Sequence, residues 1–175
     1  LGIELFIEWI ISLVTEYLYA GIFTAALLET IFPPIPSEAI FPLAGYILSK
    51  NGMPFIHVII IGVIGGAGST LGAFVIYFIA LKLGRVALLR YLKYARIDEN
   101  HLIRVDQWFS KHGEKAILFG RMVPGLRELI SIPAGVFKMR VDKFLVFTFV
   151  GSCVWSTSLS FVGYYFGVAS MPFFG

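Results

Sequence analysis

Hydrophobic residues in this chain run in unbroken blocks. Val58–Val63 and Phe74–Leu81 are continuously apolar, so the in–out alternation of a transmembrane β-strand is missing and the blocks predict helices. Two blocks, Phe55–Leu83 and Phe144–Val168, exceed the ~20 residues needed to cross a bilayer. Two others are broken in the middle. Tyr19–Leu28 and Ala39–Ser49 flank Glu29-Thr-Ile-Phe-Pro-Pro-Ile-Pro-Ser-Glu38, and Ala116–Phe137 is interrupted by Pro124, Gly125, Pro133 and Gly135. Each arm is about half of a full span, which predicts re-entrant helical hairpins, with the alternative that Pro33, Pro34 and Pro36 form only an extramembrane turn. Ser37 followed by Glu38 reads as a helix start with a carboxylate in its first turn. Ahead of these, Ile3–Tyr19 places Glu4, Glu8 and Thr15 on one stripe and Leu5, Ile10, Leu13 and Val14 on the other. That is the pattern of an interfacial amphipathic helix, with a spanning helix as the alternative.

The hairpin-plus-span pattern occurs twice. Pro42-Leu-Ala-Gly45 precedes Ser69-Thr-Leu-Gly-Ala-Phe-Val-Ile-Tyr77, and Pro133-Ala-Gly135 precedes Ser156-Thr-Ser-Leu-Ser-Phe-Val-Gly-Tyr164. Both longer fragments read S-T-x-x-x-F-V-x-Y. Because each copy contains one crossing, the second starts on the opposite side, and the repeats are expected to be inverted. The expected fold is therefore an all-α integral membrane protein, an inverted repeat of a re-entrant helical hairpin plus one transmembrane helix. It divides into an amphipathic helix at 1–18, a first repeat at 19–84, a cytoplasmic basic amphipathic segment at 85–114 and an inverted second repeat at 115–168. The chain begins without methionine and stops after apolar Met171–Phe174, and it is expected to be trimmed at both ends. No signal-peptide pattern is visible at its start.

Composition agrees with a membrane protein: 58% of residues are hydrophobic, 14% are charged and mean hydropathy is +0.84. A single cysteine and three histidines without metal-ligand spacing give no support to redox or zinc chemistry, and no metal or cofactor is expected. Lys82–Lys115 carries eight of the 14 basic residues, which places it in the cytoplasm and Lys50–Pro54 outside. Its basic side chains suit anionic head groups rather than nucleic acid, because Asp98, Glu99, Asp106 and Glu114 dilute the charge. Gly66-Ala-Gly-Ser-Thr-Leu-Gly72 lacks the lysine of a phosphate loop, and Gly62, Gly66, Gly68 and Gly72 read as small-xxx-small helix packing.

Arg121 and Arg127 stand in an otherwise apolar, broken stretch. A charge at membrane depth costs a few kcal/mol or more, and Arg grips phosphate in a two-pronged fashion. The two arginines are read as phosphate ligands, with the alternative that they pair with Glu29, Glu38 or Glu128 as struts. Glu29 and Glu38 are candidates for proton coupling or gating, exchanging between an arginine and a proton. Ser37, Ser69, Thr70, Ser156 and Thr157 are candidates to line the site, against the commoner case of hydroxyls bonding to their own helix.

Glu29-x-x-x-Pro-Pro-x-Pro-Ser-Glu38, Phe119-Gly-Arg-Met-Val-Pro-Gly-Leu-Arg127 and Ile132-Pro-Ala-Gly135 together resemble the bacterial and archaeal DedA family, related to the eukaryotic VTT-domain lipid scramblases, over about Tyr19–Val168. Family members commonly continue into one more C-terminal helix. The resemblance implies a multi-pass protein of the cytoplasmic membrane that transports lipid and is not an enzyme. Its implied partners are protons and a membrane lipid with a phosphate head group, foremost undecaprenyl phosphate. The alternative is a phospholipid scramblase or transporter acting on phosphatidylethanolamine. A lipid-phosphate hydrolase would need a nucleophile with a base, or a metal set, and the apolar core offers no histidine beside a serine. Oligomeric state is left open, a homo-oligomer included.

Overall fold

The computed structural model describes residues 9, 12, 14–32, 37–94 and 99–170. Most of the expected amphipathic helix at 1–18, together with Pro33, Pro34 and Pro36, lies outside the described residues. Within them every regular element is helical: α1 (Leu18–Ile31), α2 (Ser37–Lys50), α3 (Ile56–Tyr94), α4 (Glu99–His112), α5 (Lys115–Gly120), α6 (Leu126–Leu129), α7 (Ser131–Val136) and α8 (Val141–Ser170).

Two segments are long and apolar enough to cross a membrane, Ile56–Gly84 of α3 with 29 residues and Val141–Gly167 of α8 with 27. At 1.5 Å per residue both reach roughly 40 Å, against a hydrocarbon layer of about 30 Å. Gly84, at φ 68°, breaks α3 where the apolar block gives way to basic residues. The outward and inward faces of α8 are the reverse of a water-soluble helix. Val146, Val150, Val154, Phe161 and Phe166 are exposed, whereas Thr148, Ser152, Ser156 and Ser160 are buried at four-residue spacing. Such a helix suits an apolar solvent.

α3 and α8 run antiparallel. Phe55 meets Phe161 and Tyr164 edge-on at 5.8 and 5.9 Å, while Tyr77 stacks on Phe144 at 4.5 Å at the other end. Between them Gly66 faces Cys153, and a Cβ there would lie 3.0 Å from the Cys153 backbone nitrogen. The next turn of glycines serves a different helix. A Cβ at Gly72 would meet the Leu27 carbonyl oxygen of α1 at 2.7 Å, so α1 lies directly on α3.

The shorter helices are shared out in a regular way. α1 packs on α3 and α5 on α8, each beside the long helix of its own half, whereas α2 packs on α8 and α7 on α3, each against the long helix of the other half. Two hydroxyls fix this exchange. Tyr164 donates to the Met53 carbonyl at 2.8 Å and Tyr77 to the Met139 carbonyl at 2.5 Å. Each methionine ends a Schellman turn: Met53 N–H bonds to Leu48 O and Met139 N–H to Ala134 O, following residues of positive φ, Gly52 and Lys138.

The helices run slightly past the expected arms. α1 continues to Ile31 and so carries Glu29 and Thr30 in its last turn. The second broken block forms three short helices rather than two arms. Gly125, at φ 76°, separates α5 from α6, and Pro133 fits within the first turn of α7. Beside them Val105 and Phe109 of α4 join a core with Tyr77, Ile117, Ile130 and Phe144.

Candidate functional site

Helical periodicity puts the first acid inside. Ile22, Ala25, Ala26, Glu29 and Thr30 form the buried stripe of α1, and Glu29 is the member of that stripe that carries charge. Thr30 satisfies its hydroxyl on the Ala26 carbonyl at 2.8 Å. Glu29 instead accepts a hydrogen bond from Arg127 of α6 in a buried ion pair, the two side chains 3% and 5% exposed. Its second oxygen, Oε2, has no hydrogen-bond partner among the described residues. The Arg127 guanidinium also lies over the Trp155 ring of α8, 5.5 Å from its centroid.

Arg121 follows α5 directly and is among the largest fully buried side chains. Its stem rests on α8 where Gly151 leaves room, since a Cβ at Gly151 would lie 2.8 Å from Arg121 Cβ. Its Nη2 donates to Ser131 Oγ on α7 at 2.7 Å, and its Nε finds no partner. Burial of a guanidinium without a carboxylate is costly. The cluster holds Arg121, Arg127 and Glu29 fully buried, with Glu128 half-buried beside them. Glu29 and the half-buried Glu128 together balance the two arginines in formal charge, but only Arg127 is in direct contact with a carboxylate, and Arg121 is hydrogen-bonded to a neutral serine.

The other expected site residues divide. Glu38 is exposed at the start of α2, within electrostatic reach of Glu29 and Glu128 but in no ion pair with either arginine. The Ser37 side chain lies outside the described residues. Thr70 donates to the Gly66 carbonyl of its own helix at 2.6 Å, the backbone-bonding case. Thr157 sits over Gly62 in the α3–α8 crossing. Ser69 and Ser156 are fully buried, and their hydroxyls have no partner. Two residues of the cluster, Ser131 and Trp155, were not anticipated. Ser131 lies inside the broken stretch but looks like any helix-start serine, and nothing in the sequence ties Trp155 to an arginine on another element.

Among the described residues no group of three or more His, Cys, Asp or Glu could hold a metal ion. What the arrangement presents is two buried planar donors, one paired with the Glu29 carboxylate and the other with the Ser131 hydroxyl.

Comparison with known proteins gives this geometry a context. Undecaprenyl phosphate transporter A of Bacillus subtilis (strain 168) is 36% identical over 161 residues, 92% of this chain and 78% of the relative. The protein of the same name in Staphylococcus aureus (strain NCTC 8325 / PS 47) is 33% identical over 160 residues, 87% of this chain and 77% of its own. An alkaline phosphatase-like protein of Lactococcus lactis subsp. cremoris (strain MG1363) is 35% identical over 161 residues, 89% of this chain and 74% of its own. No solved structure was found to match. The VTT domain matches residues 35–165, a stretch that takes in Arg121, Arg127, all of α3 and most of α8. The chain belongs to the VTT-domain family, the DedA membrane proteins.

Proposed function

We propose that this protein is a carrier that moves a phosphate-headed lipid, undecaprenyl phosphate or a similar polyprenyl phosphate, across the cytoplasmic membrane, coupled to proton uptake at Glu29. The observation that carries the reading is Arg121, buried with a serine for a partner beside the Glu29–Arg127 pair. A phosphate entering the cluster would take Arg121 and compete with Glu29 for Arg127. The displaced carboxylate, buried and left without its cation, would then favour the protonated form. Reversal on the other side would return the proton and restore the pair. Glu38, exposed at the start of α2, is the second candidate for proton exchange with the aqueous phase. Ser69 and Ser156, which occupy matching places in the two S-T-x-x-x-F-V-x-Y fragments, offer hydroxyls to the same interior.

The exchange of short helices between halves, the antiparallel long helices and the paired Tyr77–Met139 and Tyr164–Met53 contacts support an inverted repeat. With 14 residues each, α1 and α2 reach about 21 Å and fall short of a crossing, as re-entrant arms would. Inverted repeats of this kind place the binding site near the midplane, between the halves. The names of the two transporter relatives support the lipid class.

The test is reconstitution in liposomes, with polyprenyl phosphate and phosphatidylethanolamine offered separately and inorganic phosphate release followed in parallel. Movement of polyprenyl phosphate alone, accelerated by a pH gradient, is the expected result. Equal movement of both lipids would favour a scramblase, and release of inorganic phosphate a hydrolase.

A further inference from the structure

A cavity of about 300 Å³ lies between α4 and the turn that leads into α6, lined by Arg104, Val105, Trp108, Pro124, Gly125 and Leu126. The geometry points to a second, outer phosphate station at this cavity, where the head end of the lipid is held by Arg104 and Trp108 before it reaches Arg127. This inference rests on the lipid-carrier reading above.

Arg104 and Trp108 are one helical turn apart and share a face of α4. Val105, 1% exposed, and Phe109 anchor the adjoining face of α4 in the core, so the pair is held at a fixed place while the Arg104 side chain stays exposed. Trp108 is half-buried and held from two sides. His112 packs against it at 4.0 Å, and its indole N–H points at the Ala116 carbonyl 3.5 Å away. The opposite wall is the Pro124–Leu126 backbone. At Gly125 open space lies where a side chain would project. The residue that follows this wall in the chain is Arg127, whose guanidinium is buried in the ion pair with Glu29.

The lining combines one guanidinium with apolar walls. That is the chemistry of a phosphate carried on a hydrocarbon chain: the cation takes the phosphate and the walls take the adjoining carbons. The volume admits a phosphate and the first carbons of the chain but not a whole polyprenyl lipid, so the tail must remain in the bilayer.

The experiment uses the full chain in liposomes and reads polyprenyl phosphate flux against lipid concentration. Arg104→Gln should raise the half-saturating concentration about tenfold with the maximal rate unchanged, and Arg104→Lys should recover part of the loss. Lys111→Gln, an exposed cation on the same helix, should change neither value. Geranyl phosphate should inhibit the wild type, and both Arg104→Gln and Trp108→Ala should weaken that inhibition about tenfold. An unchanged half-saturating concentration in Arg104→Gln, or an equal effect of Lys111→Gln, overturns the outer station. So does inorganic phosphate competing as well as geranyl phosphate, because the apolar walls would then contribute nothing. Arg127→Gln separates this inference from its foundation. If it abolishes flux while Arg104→Gln does nothing, the outer station alone falls; if neither changes flux, the carrier reading falls with it.

Discussion

Glu29 and Arg127 are 98 positions apart in the chain and form a buried ion pair that joins the end of α1 to the α6 segment. The pair ties the first broken block to the second. It leaves one carboxylate oxygen without a hydrogen-bond partner among the described residues, and it sits beside a second buried guanidinium with no carboxylate of its own. A pure strut would pair each buried arginine directly with a carboxylate, since a buried cation without a close counterion weakens the fold. Arg121, fully buried on a serine with Glu128 only in electrostatic reach, is the feature that function has to explain.

Arg127→Lys keeps the charge but loses the planar fork and the broad contact with Trp155. Binding of polyprenyl phosphate in detergent should weaken by about tenfold or more, equivalent to ~1.4 kcal/mol, while the melting temperature stays near wild type. A lysine variant that binds at full strength would reduce the role of Arg127 to generic positive charge.

Glu29→Gln mimics a protonated carboxyl that cannot cycle. Transport driven by a pH gradient should vanish, and equilibrium binding of the phosphate lipid should persist or strengthen because the competing carboxylate is gone. Removing the counterion of Arg127 destabilises the fold and lowers melting whichever role Glu29 has, by up to roughly 3–5 kcal/mol. If Glu29 serves only to hold the fold, the protein that remains folded keeps its response to the pH gradient. Flux and melting measured together on this variant separate the two roles.

Much of this arrangement was legible in the sequence, for identifiable reasons. Long apolar blocks define the spanning helices because the bilayer sets their length, and the apolar segments Ile56–Gly84 of α3 and Val141–Gly167 of α8 begin and end within a few residues of the expected limits, although α3 itself runs on to Tyr94. The proline and glycine interruptions mark both broken blocks because they limit backbone conformation locally. Two arginines in apolar surroundings identified themselves by cost. The choice of partner is not local: Glu29, Glu38 and Glu128 are equivalent on paper, but the packing of α1 on α3 turns Glu29 inward, whereas Glu38, in the first turn of α2 on α8, is exposed. Ser131 and Trp155 join the cluster through the docking of α7 and α8, which no short-range pattern encodes.

Gly151→Ala should injure the site without touching a charge. The new methyl would fall 2.8 Å from Arg121 Cβ and 2.9 Å from the Leu118 carbonyl oxygen, so α5 must shift away from α8. Overpacking of this kind costs about 1–3 kcal/mol. The expected outcome is a lowered melting temperature together with reduced lipid binding, and normal binding in a normally melting variant would show that Arg121 tolerates displacement.

Topology is open to a labelling experiment. With Cys153 replaced by alanine, single cysteines at Asn51 and Asn100 should react with impermeant reagents from opposite sides of the membrane. Reaction from the same side would remove the inverted repeat and the midplane site with it.

The most direct measurement of the central claim is Arg121→Met, assayed for polyprenyl phosphate flux in liposomes and for thermal melting in detergent. Arg121 has no carboxylate partner, so an apolar side chain of similar length removes a buried charge without stranding another. The account predicts a protein that melts at or above the wild-type temperature and no longer moves the lipid. A variant that transports at the wild-type rate, or one that loses transport only because it unfolds, would contradict it.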